Sequence, residues 1–426
     1  MQRSFFPAAL VVFFLSASAV TGADQPNIVL IMADDIGYEC YGAYGGTSYA
    51  TPNIDRLAAS GIRFNHCYSQ PLCTPSRVKI MTGKSNVRNY AAFSILKKGE
   101  TTFGHMMRSA GYRTAIAGKW QLYGAEHYKP AFRAKGSLPQ DMGFERHCLW
   151  QVDKLGDRFW GPSVTIDGEL TTFGDDVYGP DVYSQFLIDR MEEFQDEPFF
   201  LYYPMVLVHS PFLPTPDSAN RKSKDKQQNF GDMVTYMDKL IGRIVDKTVE
   251  LGIAEKTLIL VTGDNGTHKS LTSMMGDVAV KGGKGSPTNA GTRVALVGYQ
   301  PGTIPQGVVT NRLVEFSDFM PTIAEVGKTT PGEAHDGVSF SPELHGRESE
   351  PRDPIYIYYW PRPEKGQPTR FARDQRWKLY GDGRLFDVKN DVFEKTPVAG
   401  NDETRKKLQG VLDRMPEEGQ TLLRYE

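Results

Sequence analysis

Cysteine is scarce in this chain, with four residues in 426, at Cys40, Cys67, Cys73 and Cys148. An exported protein that relied on disulfides for its stability would usually have more cysteines at this length. If one of the four is reserved for chemistry, three remain. A single disulfide is then the most that can form, and one thiol is left over. The sequence does not indicate which two cysteines would pair.

A strong charge of either sign is also missing. Lysine and arginine number 49 against 51 aspartates and glutamates, which gives a net charge of −2. This balance provides no overall attraction to nucleic acid or to an anionic membrane surface, and we expect neither as a partner. An anionic substrate would therefore have to be bound by local lysines and arginines.

Beyond the N-terminus, the sequence has no apolar run long enough to span a membrane. Residues 1–23 have the pattern of a secretory signal peptide. Arg3 supplies the positive charge, residues 5–15 the apolar core, and residues 21–23 a cleavage site of small side chains. An uncleaved membrane anchor is the alternative interpretation. We expect the mature chain to be exported, to the periplasm or the extracellular space.

What the sequence does contain is a series of apolar segments that alternate with helix-like ones. Apolar runs, typical of strands buried on both faces of a sheet, occur at residues 27–33, 199–205 and 257–262, and residues 111–117 are predicted to form a turn and a further strand. Helical spacing is found between them, at residues 181–194 and 231–251. The alternation predicts an α/β fold, in which helices cover both faces of a large doubly wound sheet that is mixed but mostly parallel.

Two regions differ from this pattern. Residues 125–180 are punctuated by glycine, proline and aspartate, and we expect irregular, substrate-facing loops there. Residues 328–352 resemble a linker and lead into a module with short strand-like segments and a closing helix. We therefore expect a catalytic α/β domain at residues 24–335 and a small α+β subdomain with an antiparallel sheet at residues 336–426.

Polar residues follow the predicted strands directly, as Asp34, Asp35, Lys119, His209, Asp264 and Asn265. The carboxyl ends of the strands in such a sheet meet at one edge, so we expect these side chains to lie together. The carboxylate and amide oxygens among them are hard ligands that suit calcium or magnesium. No cluster of histidine and cysteine indicates zinc.

The segment Cys73-Thr74-Pro75-Ser76-Arg77 has the form of a nucleophile beside an anion site. Pro75 suits the first turn of a helix, which would put Cys73 at the helix N-terminus. The free N–H groups and the helix dipole favour an anion there, and Arg77 adds a permanent charge one turn on. A buried structural cysteine beside a helix-starting proline is the alternative.

Residues 73–84 resemble the signature of type I sulfatases, Cys-x-Pro-Ser-Arg-x-x-x-(Leu/Met)-Thr-Gly-(Lys/Arg), at every position. The likeness extends over nearly the whole mature chain, to a family within the alkaline phosphatase superfamily. It implies a sulfuric ester hydrolase in which a maturation enzyme oxidises Cys73 to Cα-formylglycine, whose hydrate is the nucleophile. One Ca²⁺ ion, rather than Mg²⁺, would be held by Asp34, Asp35, Cys73, Asp264 and Asn265. The residues around the sulfate would be Arg77, Lys84, Lys119, His209 and Lys284.

The sequence departs from the family at Gln121, where many members have histidine in a Gly-Lys-Trp-His segment. Glutamine can hydrogen-bond but cannot accept a proton. Either another group serves, such as His268, or Gln121 acts by positioning alone, or turnover is impaired. The substrate class that the resemblance implies is a sulfated small molecule or carbohydrate. Aromatic and basic residues between 125 and 180 are candidates to bind a sugar, and ordinary packing explains them equally well.

Two other functions are compatible with the sequence. The first is a phosphomonoester or phosphonate hydrolase of the same superfamily. Two-metal members of that group need more histidine and aspartate ligands than this sequence supplies. The second is an exported protein that binds sulfated glycans without catalysis. Normal turnover of a sulfate ester would exclude it.

Overall fold

A computed structural model of the chain describes residues 25–332, 334–347, 349–350, 352–363 and 366–419. The predicted signal peptide lies outside these residues. Within the described part of the chain, none of the helices combines the length and the apolar character needed to cross a bilayer.

The strands, numbered in chain order, are β1 (Asn27–Ala33), β2 (Ile62–Tyr68), β3 (Arg113–Lys119), β4 (Arg146–Trp150), β5 (Ser163–Ile166), β6 (Glu169–Thr172), β7 (Phe199–Pro204), β8 (Thr257–Gly263), β9 (Thr272–Met275), β10 (Val278–Lys281), β11 (Arg293–Val294), β12 (Leu296–Tyr299), β13 (Val308–Glu315), β14 (Ile355–Tyr359), β15 (Thr369–Arg373), β16 (Trp377–Tyr380) and β17 (Leu385–Asp387). The α-helices are α1 (Pro52–Ser60), α2 (Cys73–Thr82), α3 (Asn86–Asn89), α4 (Phe103–Ser109), α5 (Gly179–Phe194), α6 (Lys226–Glu250), α7 (Asn289–Thr292), α8 (Phe319–Val326), α9 (Ser341–Leu344) and α10 (Asp402–Asp413).

Eleven strands form one large mixed sheet, in the order β11-β2-β12-β8-β1-β7-β3-β4-β5-β6, with β13 also paired to β2. Its centre, from β8 to β4, is parallel, and β1 lies between β7 and β8. Antiparallel strands flank this centre on both sides. The predicted α/β architecture is therefore confirmed, and the parallel centre brings several strand ends to one edge.

Strand β1 shows why the sheet is covered on both faces. Successive side chains of a strand point to opposite faces, and all seven residues of β1 are buried. Val29 and Ile31 pack into a hydrophobic cluster with α1, α5 and α6. Ile28 and Leu30 pack into a second cluster with α2, α4 and α8. A continuous apolar run is what such a doubly covered strand requires.

The last four strands, β14 to β17, form a separate antiparallel sheet. Helix α10 packs on it through Leu408 and Leu412, which share a hydrophobic cluster with Leu379 and Leu385. The small C-terminal antiparallel sheet predicted from the sequence is thus present.

The expectation of irregular structure throughout residues 125–180 was wrong, because β4, β5 and β6 lie there. Strand β4 has only a short apolar stretch. It pairs in parallel with β3, and Trp150 and Leu149 pack into the hydrophobic clusters on the two faces of the sheet. Strands β5 and β6 form a hairpin around Asp167 and Gly168, which both have positive φ angles, 48° and 97°. Asp-Gly is a strong two-residue hairpin signal that the sequence did offer.

All four cysteines lie within the described residues, and none is in a disulfide. Each is buried. The single disulfide that the cysteine count permits is therefore not formed among the described residues. The large apolar clusters on both faces of the sheet stabilise the fold.

Candidate active site

The predicted helix at the signature is present as α2, and Cys73 is its first residue. Leu72 precedes it in an extended conformation, and Gly83 ends it with a φ angle of 65°, which favours glycine. Every residue of α2 is buried, and the Cys73 side chain is 2% exposed. The helix N-terminus thus directs free backbone N–H groups toward an enclosed site.

The carboxyl ends of β1, β3 and β8 converge on Cys73. Lys119 Nζ donates to Asp34 Oδ2 at 2.7 Å, and both side chains are fully buried. Arg77 Nη2 donates to Asp264 Oδ2 at 3.0 Å and lies 3.9 Å from Asp34 Oδ1. The guanidinium also donates to the backbone carbonyl of Lys119 at 3.2 Å. These bonds tie α2 to three strand ends.

His209 and Lys284 meet on the other side of Asp35. Lys284 Nζ lies 2.5 Å from Asp35 Oδ2 and 3.0 Å from His209 Nε2. His209 Nδ1 lies 2.6 Å from the carbonyl oxygen of Ser210, so that nitrogen carries the proton and donates it. Nε2 is then the bare nitrogen that accepts from Lys284. The histidine is held as one neutral tautomer, and the lysine carries the transferable proton.

The side chains predicted to bind a cation lie where they could hold one ion. Asp34, Cys73 and Asp264 each offer a ligand atom within 4.8 Å of the others. Asp34 Oδ1 and Asn265 Oδ1 are buried without a hydrogen-bond partner. Buried oxygens of this kind are normally satisfied, and a hard cation would satisfy both. Asp35 is adjacent, with its Oδ1 accepting from Asn265 Nδ2 at 2.9 Å.

Burial and the close charges shift several pKa values here. Burial, reinforced by the charge of Asp34, raises the pKa of Asp264 to about 8. For Asp34 burial acts in the same direction, but Lys119, His209 and Arg77 together hold its pKa well below the usual range. Burial lowers the pKa of His209 to about 4 although Asp35 opposes it. These shifts agree with a neutral histidine beside a protonated lysine.

Gln121 lies at the site and begins a polar network. Its Oε1 accepts from Cys73 Sγ at 3.5 Å, and its Nε2 donates to the Tyr128 hydroxyl at 3.1 Å. Gln151 Nε2 donates to the same hydroxyl at 3.0 Å and lies 3.3 Å from His127 Nε2. Two amide donors therefore hold the tyrosine oxygen, and the tyrosine in turn orients the Gln121 carbonyl toward residue 73.

Lys84 does not join the other predicted residues. It follows the carboxyl end of α2, whereas Cys73 is at the amino end, and its Nζ pairs with Glu100 at 2.8 Å. It lines a separate cavity with His335 and Asp336. A ten-residue helix is about 15 Å long, so matching the signature does not bring Lys84 near the nucleophile. His268 is partly exposed and bonds to Ser270 instead of Cys73.

Several supporting residues were not predicted. Ser76 Oγ donates to the carbonyl of Asp264 at 2.5 Å and fixes α2 to the end of β8. Thr267 Oγ1 donates to the buried carboxylate of Glu39 at 2.5 Å and accepts from the Gly37 N–H. The signature contains Ser76 and could have indicated it. Nothing local in the sequence pairs Thr267 with Glu39, because the two are 228 residues apart.

Comparison with known proteins agrees with this geometry. The sulfatase family model matches residues 26–328. Arylsulfatase A of Homo sapiens is 33% identical over 389 residues, covering 83% of this chain and 74% of the relative. N-acetylgalactosamine-6-sulfatase of Canis lupus familiaris is 28% identical over 393 residues, covering 82% and 72%. A structure solved with its substrate D-glucosamine-2-N,6-O-disulfate shares the fold, with a TM-score of 0.75, 21% identity, and coverage of 92% of this chain and 97% of that one. The chain belongs to the sulfatase family and is a sulfuric ester hydrolase.

Proposed function

We propose that this protein is an exported sulfatase that hydrolyses a sulfate monoester of a sulfated carbohydrate. The observation that carries the proposal is the convergence of four cationic or proton-bearing groups, Arg77, Lys119, His209 and Lys284, around Cys73 at a helix N-terminus. The carbohydrate class is favoured because one relative is an N-acetylgalactosamine-6-sulfatase, and a protein of the same fold was solved with a sulfated glucosamine as substrate.

The proposed nucleophile is Cα-formylglycine, made from Cys73 by a maturation enzyme. Its hydrate would supply one hydroxyl to attack sulfur and a second whose collapse would expel sulfate, which a plain serine cannot do. Because Cys73 is buried in the folded chain, we expect the oxidation to precede folding. Export directed by the proposed signal peptide at residues 1–23 would likewise begin before the chain folds.

The proposed cation is one Ca²⁺ ion, held by Asp34, Asp35, Asp264, Asn265 and residue 73. The donor set supports it, since carboxylate and amide oxygens are the ligands that calcium prefers. A bound Ca²⁺ would supply Lewis acidity toward a hydroxyl of residue 73 and toward the sulfate oxygens. The unpartnered Asp34 Oδ1 and Asn265 Oδ1 are the atoms that would gain most from it.

The basic side chains have distinct proposed roles. Arg77 and Lys119 lie in the buried cluster at the sheet edge with Asp34 and Asp264 and would neutralise the sulfate oxygens as charge develops on them. Lys284 would protonate the leaving alcohol, because it holds the proton that it shares with His209. His209 Nε2, which accepts that N–H, would orient the proton toward the leaving oxygen. Gln121 would orient residue 73 by its carbonyl, and Lys84 has no role at the sulfate in this proposal.

The division of the chain is also part of the proposal. We place the catalytic domain at residues 24–335 and the small subdomain at residues 336–426. The supporting observation is that the antiparallel sheet β14 to β17 forms no hydrogen-bonded pairs with the large sheet.

The deciding experiment combines mass and activity. The full chain is coexpressed with a formylglycine-generating enzyme and exported, and the masses of the peptides that carry Cys73 and Cys148 are measured. We expect the thiol-to-aldehyde change at Cys73 alone, together with turnover of sulfated carbohydrate that Cys73→Ala abolishes. An unmodified Cys73, in cells that convert a control sulfatase, would contradict the proposal.

The same preparation distinguishes the alternatives. A phosphonate or phosphate monoester hydrolase would turn over those esters faster than matched sulfate esters. A non-catalytic binding protein would retain affinity for sulfated glycans without releasing sulfate. We expect sulfate release to be the fastest reaction, because the described residues contain one candidate cation site, whereas a two-metal phosphatase needs two.

A further inference from the structure

A cleft of about 560 Å³ opens beside the candidate active site. Its lining includes Trp150, Leu155, Arg158, Trp160 and Pro211. Two chain connections place the cleft next to the catalytic cluster. Trp150 ends β4 and pairs in register with Lys119 at the end of β3. Pro211 follows His209 by two residues. A group leaving the sulfate would therefore have this cleft as its neighbour.

Arg158 is fixed in the cleft. Its Nη2 donates to the carbonyl oxygen of Ser210 at 3.1 Å, one residue from His209. Its Cζ lies 4.1 Å from the centroid of the Trp150 ring, so the guanidinium packs on the indole face. A stacked and hydrogen-bonded guanidinium loses little further freedom when it binds a ligand.

The guanidinium also lacks a counter-ion. Within the described ranges, no carboxylate lies within ion-pair distance of Arg158, whereas two other arginines are paired. Arg77 bonds to Asp264 at 3.0 Å, and Arg146 to Asp167 at 2.8 Å. An arginine that is largely withdrawn from water without an anion costs free energy. A bound anion would supply the missing charge.

We infer, resting on the proposed function, that Arg158 binds a second anionic group of the carbohydrate that carries the scissile sulfate, either on the sulfated sugar itself or on the sugar linked to it. That group is a carboxylate or a further sulfate, which arginine can contact with two N–H donors. The apolar side chains of Leu155 and Pro211 would pack against the sugar ring. Arg158 would thereby select substrates that carry at least two negative charges.

The electrostatics of the site agree with this assignment. Burial lowers the pKa of Arg158, but the neighbouring carboxylates Asp34 and Asp35 oppose the shift, and arginine stays charged in proteins. Those two carboxylates are already compensated by Lys119 and Lys284. Asp157 also lines the cleft, but it is exposed and does not pair with Arg158. The positive charge of Arg158 can therefore act on a ligand in the cleft.

The test is a comparison of kcat/KM ratios. Three substrates are used: a monosulfated N-acetylhexosamine, its disulfate, and a disaccharide that links the monosulfated sugar to a uronate. For the wild type we expect at least about tenfold higher kcat/KM on one of the doubly charged substrates. Arg158→Gln should reduce that ratio about tenfold or more, mainly through KM. The preferred substrate identifies the anion as sulfate or carboxylate.

Arg221→Gln is the matched control. Arg221 also packs on an indole, with its Cζ 4.3 Å from the Trp160 centroid, but it is exposed and bonds to the Pro216 carbonyl. We expect this variant to keep the wild-type ratio. An equal loss on all three substrates with Arg158→Gln would overturn the inference and assign Arg158 to the transferred sulfate. A wild type that hydrolyses all three equally would overturn it while leaving the proposed function intact. No sulfate release from any substrate, with Cys73 converted, would overturn both.

Discussion

At the scale of single residues, the acidic side chains of the site are each matched by a basic one. The pairs are Asp34 with Lys119, Asp35 with Lys284, and Asp264 with Arg77. Burial makes these pairs interdependent, because removing one member leaves the other charged and unsolvated. The cations proposed to bind the sulfate therefore also hold the acids in place, so substitutions here should affect both activity and stability.

Lys119 and Lys84, two of the lysines predicted to surround the sulfate, should behave differently. We expect Lys119→Ala to lower kcat/KM on an aryl sulfate by about 100-fold or more, as loss of one preorganised donor usually does. For Lys84→Ala, the loss of kcat/KM should be at least about tenfold smaller, because the Lys84 ammonium group of the wild type pairs with Glu100 at the far end of α2. Steady-state kinetics, with the melting temperature of each variant, checks this. Similar losses for both would mean that Lys84 reaches the substrate.

Tyr128→Phe tests the network that begins at Gln121. Without the hydroxyl, the Nε2 groups of Gln121 and Gln151 lose their shared acceptor. We expect kcat to fall about tenfold with little change in KM, since an unsatisfied buried amide costs about 1–3 kcal/mol and Gln121 can turn away from residue 73. Tyr123→Phe is the control. A loss of melting temperature with unchanged kcat would contradict a positioning role.

At the scale of elements, β2 illustrates how the sheet controls a titrating group. Strand β2 pairs with β11, β12 and β13, and His66 lies on it with its Nδ1 3.2 Å from the Tyr68 hydroxyl. Burial, with the charges of Arg293 and Arg373, lowers the pKa of His66 to about 3. The folded state thus keeps this ring neutral where the unfolded chain would protonate it.

This shift gives a pH dependence of stability with a defined sign. Below the ordinary histidine pKa of about 6.5, the unfolded state binds a proton that the native state does not, so stability falls as the pH drops toward 3. We expect His66→Gln to lose less of its free energy of unfolding between about pH 7 and pH 5 than the wild type. Urea titrations at both pH values measure it. Tyr68→Phe keeps the ring and should keep the wild-type dependence, and identical behaviour of His66→Gln and wild type would contradict the assignment.

At the scale of the whole molecule, the small sheet supports the lysine loop of the large domain. Lys378 on β16 donates to the carbonyl of Pro287 at 2.5 Å and pairs with Glu394 at 2.9 Å. Arg373 on β15 donates to Asn289 Oδ1 at 2.5 Å. These contacts fix the segment that follows Lys284. The position of a proposed proton donor therefore depends on residues nearly 100 positions later in the chain.

Lys378→Met should destabilise the fold by about 3–5 kcal/mol, because it leaves the buried Glu394 carboxylate without a cation. Adding Glu394→Gln should recover part of this loss. Arg376→Ala is the control, since its pair with Asp387 is half exposed and should contribute under about 1 kcal/mol. Urea unfolding compares the free energies of the variants. A loss for Lys378→Met no larger than for the control would contradict the supporting role.

Removal of the proposed cation should also be visible in the whole molecule. A ligand that binds only the native state raises its stability. Chelation should therefore lower the melting temperature of the mature protein, and millimolar Ca²⁺ should restore it. In Asp34→Asn, which weakens the ligand set, we expect Ca²⁺ to raise the melting temperature by a smaller amount. An equal response of wild type and variant would mean that calcium acts at another site.

The sequence by itself determined the sheet architecture, and it predicted the nucleophile and the candidate oxygen ligands, because each depends on local patterns. Apolar runs such as residues 27–33 define strands covered on both faces, and polar residues at their ends must meet at one edge. The tertiary structure alone separated Lys84 from the other cations, joined Gln121 to Tyr128, and left Arg158 facing a cleft without a counter-ion. These relations depend on distances between residues remote in the chain, which periodicity and motif spacing do not encode.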